Sequence, residues 1–298
     1  MKIIRPVDID DSVFQSSDVP ENDYAEWAIG TTYADGDRVI LTTGVHKIYE
    51  SQQAANTGND PETDDGTWWL EVSSTNRWKM FNAIVQEQTV QATQIDTTLQ
   101  SATVVNAIAL LNVEATTIEI TVTDSVEGVV YDETFNMTSY SGIQDWYAYF
   151  FEPIVRENQL AVTDLPPYAN ADINIVINAN ADAKCGAVVI GQFADLGLAQ
   201  HGASLSIIDY SVKDTDAQGR VTITEGAYAD KMEVDVVLDT SQMGQVKKTL
   251  TSLRTTPSVW IAEDGNSDLV IYGYYREFDI ILSNPTTSRC SLEIEGLV

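Results

Sequence analysis

Positive charge is scarce in this chain: 16 Lys and Arg stand against 45 Asp and Glu in 298 residues, a formal net charge of -29. The acids form no long run, so they describe a solvated skin on folded domains. A surface of that sign repels nucleic acid phosphates and anionic headgroups, both of which call for a basic patch. Neither nucleic acid nor membrane insertion is therefore expected. Cysteine is nearly absent as well. Cys185 and Cys290 are far apart and make no disulfide framework, so buried free thiols are expected. No apolar run approaches the ~20 residues of a membrane span. The opening MKIIRPVDIDDSVF lacks the apolar stretch of a signal peptide, which suggests a protein made in a cytoplasm without an export address.

Recognisable catalytic chemistry is equally thin. His46 and His201 are the two histidines, and neither stands near a Cys, a second His or an acidic pair at metal-ligand spacing. Both read as surface or turn residues. There is no G-x-S-x-G elbow, glycine-rich phosphate loop or H-E-x-x-H. So many acids guarantee that some pair falls at glycosidase spacing, which removes the signal that such a pair would carry. The expectation is a protein that is not an enzyme and has no cofactor, with a glycan hydrolase as the third reading. The best metal pattern is DTDAQGRVTITE, where Asp214, Asp216, Gly219 and Glu225 fall at EF-hand positions one, three, six and twelve, with Gln218 at position five. The alternation in RVTIT favours a hairpin turn over a calcium loop there. The acidic loop NDPETDD at 59–65 is a second weak calcium candidate.

What is present is a hydrophobic content of 44%, enough for a sizeable core. Residues 1–20 read as an N-terminal arm. Residues 21–81 hold Trp27, Trp68, Trp69 and Trp78, four of the six tryptophans, and read as a small module of their own. From 82 onward short runs alternate with period two, as in TTIEITVTD and DINIVINAN, which indicates half-buried strands. GVVYDETF, WYAYFF, KMEVDVVL and EFDIILS are further strand candidates. A β-sandwich is expected over 82–195 and a β-rich domain over 196–298. The latter carries a helix at about 241–253, where Met243, Val246, Leu250 and Leu253 are spaced helically behind Thr240 or Ser241 as N-cap. A weaker helical pattern covers about 95–111. The fold class is thus mainly β: a small β-rich module followed by antiparallel sandwich domains with one or two short helices.

Within the module, Trp27, Tyr33, Gly36-Asp37-Arg38-Val39, Gly58-Asn59-Asp60-Pro61 and Trp69-Leu70-Glu71-Val72 follow one another, with Gly44 and Tyr49 slightly further apart than the pattern has them. This succession resembles the carbohydrate-binding modules of family 5/12. A block this small needs its aromatics first for burial, and Tyr33, Val39 and Tyr49 can face one core, with Trp27 beside Tyr33 and Val39 as a core candidate. The resemblance adds a flat exposed ring that stacks under sugar. The stretch that would carry that ring is YESQQAAN, with Gln52 and Gln53, so Trp68, Tyr49 and Trp69 become the candidate glycan-binding residues.

Asn76, Arg77, Trp78, Met80 and Phe81 follow, and FADLGLAQHGASLSIIDYS, VKDTDAQGRVTI and LRTTPSVWIAEDG come later. Together they resemble tail-associated virion proteins of bacteriophages. That resemblance implies a structural component of a tail or baseplate, made in the host cytoplasm and located in the virion. Its partners would be other tail proteins and copies of itself. A host-surface glycan-binding protein acting through the 21–81 module is the alternative.

Overall fold

The structure, a computed structural model, describes all residues except 140–144, 152–154, 216–217, 264–268 and 298, and leaves aside the side chains of 148 and 149. In chain order, β1 (Lys2–Pro6) and β2 (Phe14–Ser17) precede a module of β3 (Thr32–Tyr33), β4 (Arg38–Leu41), β5 (Lys47–Ser51), β6 (Asn56–Thr57) and β7 (Trp69–Ser74). Then come β8 (Thr89–Gln100), β9 (Ala107–Glu114), β10 (Thr117–Asp124), β11 (Gly128–Asn136), helix α1 (Trp146–Phe151), β12 (Gln159–Val162) and β13 (Asp172–Asp195). The C-terminal part holds β14 (Leu198–Ala199), β15 (Ser204–Asp209), β16 (Val212–Thr215), β17 (Val221–Thr224), β18 (Tyr228–Asp239), helix α2 (Met243–Ser252), β19 (Ser258–Ile261), β20 (Val270–Ile281) and β21 (Thr287–Gly296). The chain is mainly β and antiparallel, as its alternation implies.

One strand organises the body. β13 is 24 residues long, about 80 Å at 3.3 Å per residue, and no single partner can satisfy its whole backbone. β8 and β10 flank its first half on opposite edges, while β9 and then β1 take over along the second half. The pairing with β8 breaks register between Asn178 and Asp182, where the ladder bends. From β13 the sheet continues through β1, β19, β20, β21 and β18.

This topology corrects two expectations. The opening residues are not an arm: β1 lies between β13 and β19, with Ile3 and Ile4 fully buried, and β2 pairs with β8. The blocks at 82–195 and 196–298 share one hydrogen-bonded sheet, because β1 joins them. Burial alternates along β1, where Ile3 enters a core with Trp260, Val234 and α2, and Ile4 enters another with Val189, Leu111 and Val259. Both faces of the sheet are covered at this point.

Val246 and Leu250 seat α2 on the sheet, but a 3-10 turn at Thr240–Gln242 precedes it and neither Thr240 nor Ser241 caps it; the Thr240 hydroxyl meets Ser288 Oγ at 3.0 Å instead. The stretch 95–111 is not helical. Ile95, Thr97 and Leu99 are buried at every second residue of β8, and β9 follows. WYAYFF, expected as a strand, is α1, in which Trp146 stacks on Phe150 and Tyr147 on Phe151 at helical i, i+4 spacing.

Close approach of β1 to β13 depends on Gly191, where a Cβ would collide with the Arg5 carbonyl. Gly191→Ala is expected to cost roughly 1–3 kcal/mol in urea denaturation. Gly244→Ala, in open space within α2, is expected to stabilise by roughly 0.5–1 kcal/mol.

Candidate functional site

The module forms because its turns require glycine and its small sheets have one aromatic cluster to bury. Gly36 at φ 83° carries the chain from β3 into β4, with Asp37 Oδ2 accepting the Ala34 N–H at 2.7 Å. β4, β5 and β7 make one sheet, and β3 and β6 pair separately. Tyr33, Val39, Tyr49 and Trp69 are the buried cluster, with Trp27, Leu41 and Trp68 packed at its rim. Trp69 meets Tyr33 edge-on at 5.2 Å and donates its indole N–H to the Asn59 carbonyl at 2.9 Å.

This geometry corrects the candidate glycan residues. Tyr49 and Trp69 are 6% and 2% exposed; a block this small has few large side chains with which to build a core, and these two are consumed by it. Burial pushes the Tyr49 phenol up, and the Glu71, Glu62 and Asp60 carboxylates push it further. Trp68 is half-buried, packed against this cluster at its rim. Asp64 positions it, since Oδ2 accepts the N–H groups of Gly66, Trp68 and Trp69 at 2.9, 3.0 and 3.0 Å. Of the three, Trp68 alone lies outside the buried cluster.

The segment Asn76–Phe81 is the joint between module and body. Met80 enters the body core, and Arg77 donates to the Val19 carbonyl at 2.6 Å and pairs with Glu21 at 3.3 Å. His46 belongs to the same joint. It occupies a left-handed turn at φ 52°, yet it is buried and not a surface residue. Its ring stacks on Trp78 at 3.9 Å, with Nδ1 2.9 Å from Glu21 Oε1 and Nε2 2.7 Å from Asp11 Oδ1. Residues from positions 11, 21, 46, 77 and 78 meet here; sequence spacing carries no sign of it.

The segment of the weak calcium candidates is described in part. Asp214 lies in β16 opposite Thr222, and Glu225 follows β17, so this segment is a hairpin with Gly219 at φ 79° in its turn. Asp216 lies outside the described residues. Among the described residues no three of His, Cys, Asp and Glu gather around one point, the 59–65 loop included. His201 is exposed at a cleft of about 490 Å³ beside Met1, Leu198 and Leu269. Burial pushes the Cys185 thiol up to about 12 and, with help from Asp279 and Asp235, the Cys290 thiol up to about 11; both stay protonated. No helix among the described residues is long and apolar enough to cross a membrane.

The surface has a second prominent feature. β15 and β16 continue one another, as do β17 and β18, in a long bent hairpin; the Tyr210 N–H bonds the Ala227 carbonyl at the bend. Beyond the bend every residue of β16 and β17 is exposed, including Val212, Val221 and Ile223. The two strands of this ribbon pair with each other, apart from the large sheet. On α1, Trp146, Tyr147, Phe150 and Phe151 are each 67% or more exposed. No protein-family model matches the chain, and no curated protein matches its sequence.

Trp69→Ala is expected to unfold the module at a cost of about 3–5 kcal/mol, while Trp68→Ala costs under half as much; near-UV circular dichroism in urea separates them. At the hairpin bend, the Ser211 hydroxyl and N–H and the Lys213 ammonium hold the Asp209 carboxyl down to about 2. Because the folded value is depressed, the contacts contribute fully above the ordinary 3.8 and are lost as pH falls through about 2. A carboxyl NMR titration of Asp209 should show a midpoint near the lower value.

Proposed function

We propose that the chain is a noncatalytic structural component of a bacteriophage tail or baseplate, located in the virion and assembling noncovalently with other virion proteins and with copies of itself. The observation that carries this reading is the projecting β16–β17 ribbon. A two-stranded ribbon in water is marginally stable by itself, and this one exposes Val212, Val221 and Ile223 with two free strand edges. Such an element gains its stability by adding to a neighbour's sheet or groove. The exposed aromatics of α1 support the same use.

Glycan binding is the second reading, favoured by one feature: Trp68, its backbone held by Asp64, is half-buried where Tyr49 and Trp69 are buried. Aromatic rings of that kind can stack on sugars while the module stays docked to the body.

Replacing residues 212–224 by a short Gly-Ser turn is expected to leave a folded chain that no longer enters phage particles, measured by mass spectrometry of purified virions. Normal incorporation of the shortened chain would overturn the ribbon's role, and absence of the intact chain from virions would overturn the reading itself. For the second reading, a glycan array probed with the wild-type chain should lose its signal with Trp68→Ala; no signal from either protein rejects it.

A further inference from the structure

The C-terminal sheet carries opposite charge on its two sides. On one side lies α2, and between Thr240 and Ala262 the chain has three cations, Lys247, Lys248 and Arg254, and no acid. Val246, Leu250 and Leu253 turn inward to the core, which leaves Gly244, Lys247, Lys248, Thr251 and Arg254 on the exposed side. None of the three cations has a carboxylate partner among the described residues. For a chain of net charge -29, an unneutralised basic face is an anomaly.

The opposite side of the same sheet is its complement. Val234 and Leu292 point toward α2, so their strand neighbours point away. Glu277 of β20 stands in register with Glu293 of β21, which stands in register with Glu233 of β18. The next row holds Asp279, Ser291 and Asp235, and the two rows line a groove of about 460 Å³. Lys231 reaches Glu233 at 2.8 Å and Glu293 at 3.0 Å, and Arg289 pairs with Asp235. Arg276 pairs with Glu295 nearby at 3.4 Å. Five groove carboxylates against Lys231 and Arg289 leave a charge of -3, which equals in size the +3 of the α2 face. Like charges directly opposed across strands destabilise a sheet, so the glutamate row gains from an added cation.

We propose that the α2 face of one copy docks into the acidic groove of a second copy, in a head-to-tail contact that repeats along an assembly. This deepens the assembly reading above and rests on it. The dimensions agree: Lys247 to Arg254 spans about 10 Å at 1.5 Å per residue, and the glutamate row across three strands spans about 10 Å at 4.8 Å per strand. The two surfaces lie on opposite sides of one sheet, so no single copy can join them. A two-fold contact through either surface would set like charge on like charge. The contact is therefore heterologous, and it either closes into a ring or continues as a filament.

Sedimentation velocity of the intact chain over a range of concentrations tests this. In about 0.15 M salt, where repulsion beyond ~8 Å is screened, the wild-type chain should self-associate, and 1 M salt should reverse it. The variant K247E/K248E/R254E and the variant E277K/D279K should each associate more weakly by roughly tenfold or more, with unchanged circular dichroism. Mixed in equal amounts they should associate again, since each supplies the charge that the other needs. If wild type associates and the two variants do so equally well, or if the mixture stays dissociated, the charge-matched contact is overturned while the assembly reading stands. A wild-type chain that remains monomeric at every concentration also overturns the contact; the assembly reading itself falls only if the chain is absent from virions.

Discussion

The backbone of β13 sets the terms for the rest of the body. Each buried N–H and C=O along its 24 residues needs a partner, and the strand runs further than any neighbour. Four segments from distant parts of the sequence are therefore drawn to it: β8, β10, β9 and β1. Since β1 also pairs with β19, satisfying β13 is what attaches the C-terminal strands to the N-terminal ones. A chain whose length suggests two domains is stitched into one sheet by five residues at its beginning.

The aromatic module is governed by a different limit. A block of about 60 residues encloses little volume, so nearly every large ring is needed inside. Tyr49 and Trp69 go to the core for that reason, and Trp68, one position away, is left at the rim. Docking of the module then falls to polar and stacked contacts around His46, Glu21, Arg77 and Trp78. The Arg77–Glu21 ion pair, with the Glu21 side chain buried, holds the joint in one arrangement because each group loses its partner if the joint opens.

Charge is the third constraint. Acids spread over the surface keep copies of the chain apart in general, so any contact between them must be confined to places where that repulsion is locally relieved. The exposed ribbon, with Lys213 and Arg220 among its acids, is one such place, and the face of α2 is another. A surface that is repulsive nearly everywhere allows a few contacts to be selective.

Strand content, the amphipathic helix near 243–252, the hairpin at Gly219 and the free thiols were legible in the sequence, because each rests on local periodicity, turn chemistry or composition. Partner choice was not legible. Strand alternation states which side chains share a face but not which strand lies alongside, so β1 resembled a loose arm and Ile95 and Leu99 imitated a helix. WYAYFF has the aromatics of a strand, and its helix shows only in the pairing of rings four residues apart. The sequence by itself determined which segments carry an apolar face, because period-two and helical spacing are written in local order. Only the tertiary structure decided which residues meet each other, because the hydrogen bonds and close packing that join β1 to β13 and His46 to Trp78 act between residues that the chain keeps far apart.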